Sequence, residues 1–301
     1  MASLNQIERK VVFDRAFGTL SGGEVEASLY VAPWDRERYV RQIHITGERL
    51  QLSDEHGIGC TMVSLTVPGI QGIADKTEAG KTATLANNWI TEQIKEHRDR
   101  LGAFACLSMH DPVQAGQEHR RCVKDLDFTA LCCVITNMSY DTFWKVLMGP
   151  DIPLYTYPAA PADVILEKLY SQRPLLIGST LSFANGVSLD ALGLIGNGVL
   201  DRLPTVKVII GHLGELIPFD YWRLSHSFED VEKPIAEEKG KVLCKNTVYD
   251  YFKQNIWTTS GHFSTATLKY VVDEIGTDRV LFSINTHMRP SKMAVAGGIM
   301  V

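Results

Sequence analysis

The sequence predicts an α/β fold, specifically a (β/α)8 barrel, and three observations carry that prediction. Eight short runs rich in β-branched and aromatic residues recur along the 301 residues, stretches with helical spacing separate them, and the runs are apolar on nearly every residue. A strand apolar on both faces is buried on both faces, the condition of a parallel sheet covered by helices, and eight such units can close on themselves.

In chain order the strands are "KVVF" (10–13), "CTMVSL" (60–65), "LGAFACLS" (101–108), "TALCCVI" (129–135), "IPLYTY" (152–157), "KVIIGH" (207–212), "NIWTTS" (255–260) and "RVLFSIN" (279–285). Between the second and third, "TATLANNWITEQIKEH" sets Leu85, Trp89, Ile90 and Ile94 on one helical face. Between the last two, "STATLKYVVDEIGTD" does the same with Leu268, Val271, Val272 and Ile275, and Gly276 stops the helix. The mixed-charge run "EDVEKPIAEEKGK" reads as a solvated helix end. No linker, repeat or low-complexity segment divides the chain, so residues 1–301 are expected to form a single domain.

Composition narrows the function. With 45% apolar and 22% charged residues the chain can bury a large core. It has no run of about 18 apolar residues, and "MASLNQIERKVVF" lacks the apolar centre of a signal peptide, so a cytoplasmic protein without membrane contact is expected. The net charge of -5 comes with no basic stripe, which argues against nucleic acid and leaves a small-molecule substrate as the leading partner. Cys60, Cys106, Cys122, Cys132, Cys133 and Cys244 show no CxxC spacing and sit mostly in apolar runs, so reduced, buried thiols are expected.

In a barrel of this kind the active site lies at the C-terminal ends of the strands. Those ends carry Asp14, Ser64, Ser108, His110, Tyr157, His212, Ser260, His262, Asn285 and His287. Taken singly, a polar residue there caps a helix or satisfies a loop; together on one rim they mark a site. "VIIGHLGELIPFD" is the most pointed of these endings. It closes a buried strand on His212, places Glu215 three residues later at the mouth of a helix, and supplies Gly211 and Gly214 for the turn between them.

Through "DRLGAFACLSMHDP", "LSFANGVSLDALG", "GHLGELIPFDYWR", "TTSGHFST" and "DRVLFSI", the chain resembles the nonoxidative aromatic acid decarboxylases of the amidohydrolase superfamily. The resemblance is to the fungal 2,3-dihydroxybenzoate decarboxylase type above all, and it runs from about Lys10 to Asn285. It implies a TIM barrel, a proton-handling histidine at His212 and an orienting glutamate at Glu215. It also implies a divalent metal held by a carboxylate after strand one, histidines after strands five and six and an aspartate after strand eight. At the metal the chain departs from the family. Asp14 stands for the first glutamate of a Leu-Glu-Glu stretch and Arg15 for the second acid, Tyr157 replaces the histidine after strand five, and Asn285 replaces the aspartate. A phenol and a neutral amide are poor donors for a divalent ion at neutral pH. Two further departures touch the pocket wall. Val134 stands where many members have a substrate-facing asparagine, and only "THMRPSKMAVAGGIMV" follows strand eight, a shortened C-terminus.

These departures predict no cofactor, with a weakly bound Zn, Mg or Mn ion as the alternative. The expected activity is then that of a metal-independent lyase or cyclase acting on a phenolic or enolic substrate of polyketide or aromatic acid type. His212, Glu215 and Tyr157 form the expected catalytic set, and Asp14, Arg15, Ser64, His262, Asn285 and His287 the expected substrate-binding set. Two alternatives stand beside it: a metal-dependent nonoxidative aromatic acid decarboxylase, and a noncatalytic relative that binds a small molecule or pairs with an active homologue. A homodimer or larger homo-oligomer is expected in either case.

Overall fold

A computed structural model describes residues 45–55, 57–65, 69–133, 141–147, 152–159, 161–240, 244–262 and 264–283. Its centre is a parallel sheet of seven strands: β1 Thr61–Val63, β2 Leu101–Cys106, β3 Ala130–Cys133, β4 Leu154–Thr156, β5 Val208–Ile210, β6 Ile256–Thr259 and β7 Val280–Leu281. Their spatial order equals their sequence order, with every neighbouring pair parallel. These are the predicted second to eighth strands, each shorter than its apolar run. The predicted first strand, 10–13, lies outside the described residues.

Parallel neighbours demand a crossover after every strand, and helices supply it. The principal ones are α1 Glu48–Glu55, α2 Lys76–Ile94, α3 Pro112–Asp125, α4 Asp141–Leu147, α5 Ser182–Gly196, α6 Ile217–Ser227, α7 Val248–Gln254 and α8 Thr265–Ile275. Side-chain caps set several of their starts. Asp75 accepts the Glu78 N–H before α2, Asp111 those of Val113 and Gln114 before α3, and Thr247 and Asp250 bond reciprocally before α7. Gly276 ends α8 with φ 94°, the stop that the sequence predicted.

The strands bury both faces, and the two faces build two separate layers. Outward residues such as Val63, Ala103, Ala105, Leu131, Leu154, Val208, Ile210 and Ile256 pack with the helices in one large cluster. Inward residues Met62, Phe104, Ala130, Tyr155, Ile209 and Leu281 form a second cluster, with Tyr157 and Trp257 packed against it. Phe104 on β2 and Tyr155 on β4 meet at 5.3 Å between ring centroids although β3 separates their strands. Small Ala130 leaves room between them, and the sheet curls toward this face. Sequential parallel order, helices outside and a packed interior make this an α/β barrel architecture.

One helical face differs from its sequence reading. On α2 the buried residues are Ala79, Gly80, Thr82, Ala83, Ala86, Asn87, Ile90 and Ile94, whereas Leu85 is 60% exposed. Small side chains let the helix approach the sheet closely, and Asn87 is buried because it finds partners there. Its side-chain amide accepts the Cys106 N–H and donates to both the Cys106 carbonyl and the Glu118 carboxylate. Among the described cysteines Cys106, Cys122 and Cys244 are buried, as expected, and Cys60 is half-buried. No described helix is long and apolar enough to cross a membrane.

Candidate active site

The chain leaves β5 through a turn that local sequence preferences oppose. His212, Leu213 and Glu215 have φ of 46°, 59° and 56°, and Gly214 between them has 84°. A left-handed conformation costs a non-glycine residue roughly 1–2 kcal/mol, so three of them must be held by their surroundings. Inside the turn, Gly214 N–H donates to the Gly211 carbonyl at 2.9 Å and Glu215 N–H to the His212 carbonyl at 3.3 Å. Leu213 is buried in the outer core. Gly214 is required on two counts: its positive φ, and the 2.7 Å that a Cβ would keep from Cγ of Pro218. From β6, Thr259 Oγ1 accepts the His212 N–H at 3.2 Å and Thr258 Oγ1 donates to the Gly211 carbonyl at 3.4 Å. Toward α5, Leu216 N–H donates to Ser188 Oγ at 3.3 Å.

The product of this conformation is one short contact. His212 Nδ1 lies 2.6 Å from Glu215 Oε1, with the histidine side chain 31% exposed and the glutamate 7%. With the carboxylate accepting, Nδ1 carries the proton, and Nε2 is the ring nitrogen that Glu215 does not engage. An imidazole oriented by a buried carboxylate at the open end of a strand can hand a proton to a bound molecule or take one from it.

The other rim residues divide by their surroundings. Ser64, after β1, is buried, and Tyr157, after β4, is half-buried with its ring 5.7 Å from that of Tyr155, crowning the inner cluster. His262, after β6, is exposed, yet the surrounding walls and then the neighbouring His212 hold its imidazole below its usual range, with Glu215 opposing them. His262 thus feels the charges of the His212–Glu215 pair, one strand away. Ser260 is occupied structurally, because its Oγ accepts the Ser283 N–H at 3.1 Å. Asp14, Arg15, Asn285 and His287, with Val134, lie outside the described residues.

Sequence reasoning passed over Thr259. Its neighbour Ser260 drew attention as the last polar residue of the run, but strand alternation gives the signal. Trp257 packs on the inner cluster, so Thr259 shares its face two residues nearer the rim.

The amidohydrolase family profile matches residues 29–285 of the chain. A gamma-resorcylate decarboxylase of Polaromonas sp. strain JS666 is 36% identical over 261 residues, which cover 81% of this chain and 77% of that protein. The chain belongs to the amidohydrolase family, in its branch of aromatic acid decarboxylases. The enzymes of that branch are lyases. Among solved structures, the dihydroxybenzoic acid decarboxylase of the same Polaromonas strain, with bound manganese and the inhibitor 2-nitroresorcinol, superposes with a TM-score of 0.83 at 31% identity. The match covers 96% of this chain and 88% of that one. A 2,6-dihydroxybenzoate decarboxylase complexed with 2,6-dihydroxybenzoate also gives a TM-score of 0.83, at 29% identity over 98% of this chain and 93% of that one.

Manganese in the Polaromonas structure overturns one expectation from the sequence, that of a protein without a cofactor. That expectation weighed two substituted positions, Tyr157 and Asn285, above the kinship of the whole chain. The described residues do not by themselves make a metal centre. No three His, Cys, Asp or Glu side chains converge among them, and the position after β4 offers a phenol. Of the other implied positions, His212 ends the predicted sixth strand and is described, whereas Asp14 and Asn285 are outside the described residues.

Proposed function

We propose that this chain is a nonoxidative decarboxylase of a small hydroxylated benzoic acid, of the divalent-metal-dependent kind. This was the alternative to the metal-independent lyase or cyclase expected from the sequence, and it replaces that reading. The observation that carries it is the 2.6 Å His212–Glu215 pair at the mouth of the sheet, in a chain more than one-third identical to a gamma-resorcylate decarboxylase. A bound ion would supply electrostatic anchoring of the substrate's oxygens. Among the described residues no three His, Cys, Asp or Glu side chains converge to hold it, and the proton transfer falls to the protein's own groups.

In the proposed reaction His212 gives a proton to the ring carbon that bears the carboxylate. The bond from that carbon to the carboxylate then breaks, its electron pair returns to the ring, and carbon dioxide leaves. His212 regains its proton from solvent, so the balance is one arylcarboxylate plus one proton giving one arene plus carbon dioxide. Glu215 keeps the imidazole oriented. Tyr157, Ser64 and His262 are the described candidates to line the substrate, and Asp14, Arg15, Asn285 and His287 complete that set on the sequence argument alone.

The same reading takes residues 1–301 as a single cytoplasmic domain. It favours a homodimer or larger assembly. Leu216, Phe219 and Trp222 on and beside α6 and Leu189 on α5 are exposed, Phe219 by 89% and Trp222 by 62%. The two aromatic rings alone offer about 300 Å² of apolar surface, which is already a sizeable patch for a monomer.

The test is carbon dioxide release from 2,6-dihydroxybenzoate and from 2,3-dihydroxybenzoate by protein supplied with manganese. Release from at least one acid, abolished by a chelator and restored by manganese, is expected. Manganese-supplied, folded protein that releases none from either acid overturns the proposal.

A further inference from the structure

The left-handed turn at His212 needs an anchor that local sequence does not supply. We propose that Thr259 is a positioning residue of the active site, holding the His212 backbone, and through it the imidazole, in the conformation that meets Glu215. The proposal rests on the catalytic reading of His212 given above.

Three observations converge on Thr259. Its hydroxyl oxygen accepts the His212 N–H at 3.2 Å from the adjacent strand, a contact across 47 residues of chain. Within the turn, the backbone bonds run from Gly214 N–H to the Gly211 carbonyl and from Glu215 N–H to the His212 carbonyl, and the bond from His212 N–H reaches out of the turn to Thr259. Thr259 itself is buried, 7% exposed. Thr258 next to it serves as the contrast. It is fully buried, faces the outer layer and bonds the Gly211 carbonyl at 3.4 Å, one residue before the turn. Both threonines tie β5 to β6, and Thr259 alone of the two touches the residue that presents the imidazole.

Replacing the hydroxyl by a methyl removes the acceptor at nearly constant volume. The His212 N–H then loses this acceptor, the backbone at φ 46° is held less firmly, and the imidazole shifts relative to Glu215. Small displacements of a positioned group can cost about 100-fold in rate, so the effect falls on kcat while KM stays close to the parent's.

The experiment compares Thr259→Val, Thr259→Ser and Thr258→Val in the full chain supplied with manganese. It measures kcat and KM on whichever hydroxybenzoate the parent decarboxylates, together with the NMR signal of the His212 Nδ1 proton, identified by its loss in His212→Gln. Thr259→Val should lower kcat roughly 10- to 100-fold with KM within about twofold, and should shift or broaden that signal. Thr259→Ser keeps the acceptor and should restore both. Thr258→Val should lower the melting temperature while leaving the signal in place. Should valine at 259 prevent folding, Thr259→Ala removes the same acceptor with less bulk. Parent-like kcat and an unmoved signal in a folded variant lacking the hydroxyl overturn the proposal, as does a serine variant as impaired as the valine one. If the parent turns over no hydroxybenzoate, the decarboxylase reading falls, and the NMR comparison still decides the role of Thr259.

Discussion

Two buried glutamates, each three residues from its cationic or protonatable partner, have opposite surroundings. Glu118 sits on α3, 5% exposed, and its carboxylate accepts from Arg121 at 2.6 and 3.0 Å, from Asn87 at 2.8 Å and from Thr84 at 2.9 Å. Burial pushes its pKa up, but Arg121, Asn87 and Thr84 together outweigh burial and hold it below the usual 4.5. The Glu215 side chain is as deeply placed, at 7%, and among the described residues its carboxylate bonds to His212. The backbone differs in the same sense. Glu118 and Arg121 lie in a regular helix, while Glu215 and His212 lie in a run of positive φ. A carboxylate whose lone pairs are all engaged holds a structure together. One with a single donor, at an open rim and on a backbone kept in an unfavourable region, is arranged to act through that donor.

Substitutions at the two glutamates and their neighbours test this contrast. The largest effect is expected at His212. His212→Ala should cost about 10²- to 10⁴-fold in turnover with little change in melting temperature, because it removes a positioned acid at a rim and leaves the core below it. Glu215→Gln should cost less, since the proton carrier remains; a larger loss than in His212→Ala would reverse the roles assigned here. Gly214→Ala comes next. Its Cβ would meet Cγ of Pro218 at 2.7 Å and Cε1 of Phe252 at 3.2 Å on a backbone at φ 84°. Overpacking of that kind costs about 1–3 kcal/mol, read by chemical denaturation, and turnover should fall with it.

Glu118→Gln should do the converse, lowering stability by about 1–3 kcal/mol while turnover stays within about twofold. Its pH dependence has a definite sign. A carboxyl held below its ordinary value contributes stability that is fully present above pH 4.5 and is lost as pH falls through the lower folded value, so the gap between parent and variant should close in acid. The smallest effect at neutral pH belongs to His119. Burial first, and Arg120 second, lower its pKa from 6.5 to about 4. The unfolded chain takes up a proton below pH 6.5 that the folded one refuses until about pH 4. Stability should therefore fall across that window by on the order of 3 kcal/mol, and His119→Leu should flatten the fall without changing stability much at pH 7.

The contrast also explains what the sequence made legible. Seven strands were readable because burial on both faces leaves an apolar run that few other elements show. His212 and Glu215 were readable because a polar pair directly after such a run has no packing role to perform. The α2 face misled, since Leu85 outscores alanine in hydrophobicity, while close approach to the sheet selects Ala79, Ala83 and Ala86. The buried Asn87–Glu118–Arg121 network was invisible for a related reason: partners 31 residues apart leave no local pattern. Thr259 was missed because its role comes from the left-handed backbone of another strand's end. The metal was misjudged because donors at single positions were weighed without the rest of the chain.

The central claim is that His212 delivers a proton to the ring carbon that loses its carboxylate. The most direct measurement runs the reaction in D2O with manganese-supplied protein, quantifies carbon dioxide and locates deuterium in the product by NMR, for the parent and for His212→Ala. The parent should release one carbon dioxide per product and place one deuteron at the vacated carbon, while folded His212→Ala should do neither above about 1% of that rate. Carbon dioxide release by His212→Ala at the parent's rate, with deuterium at the same carbon, would contradict the account.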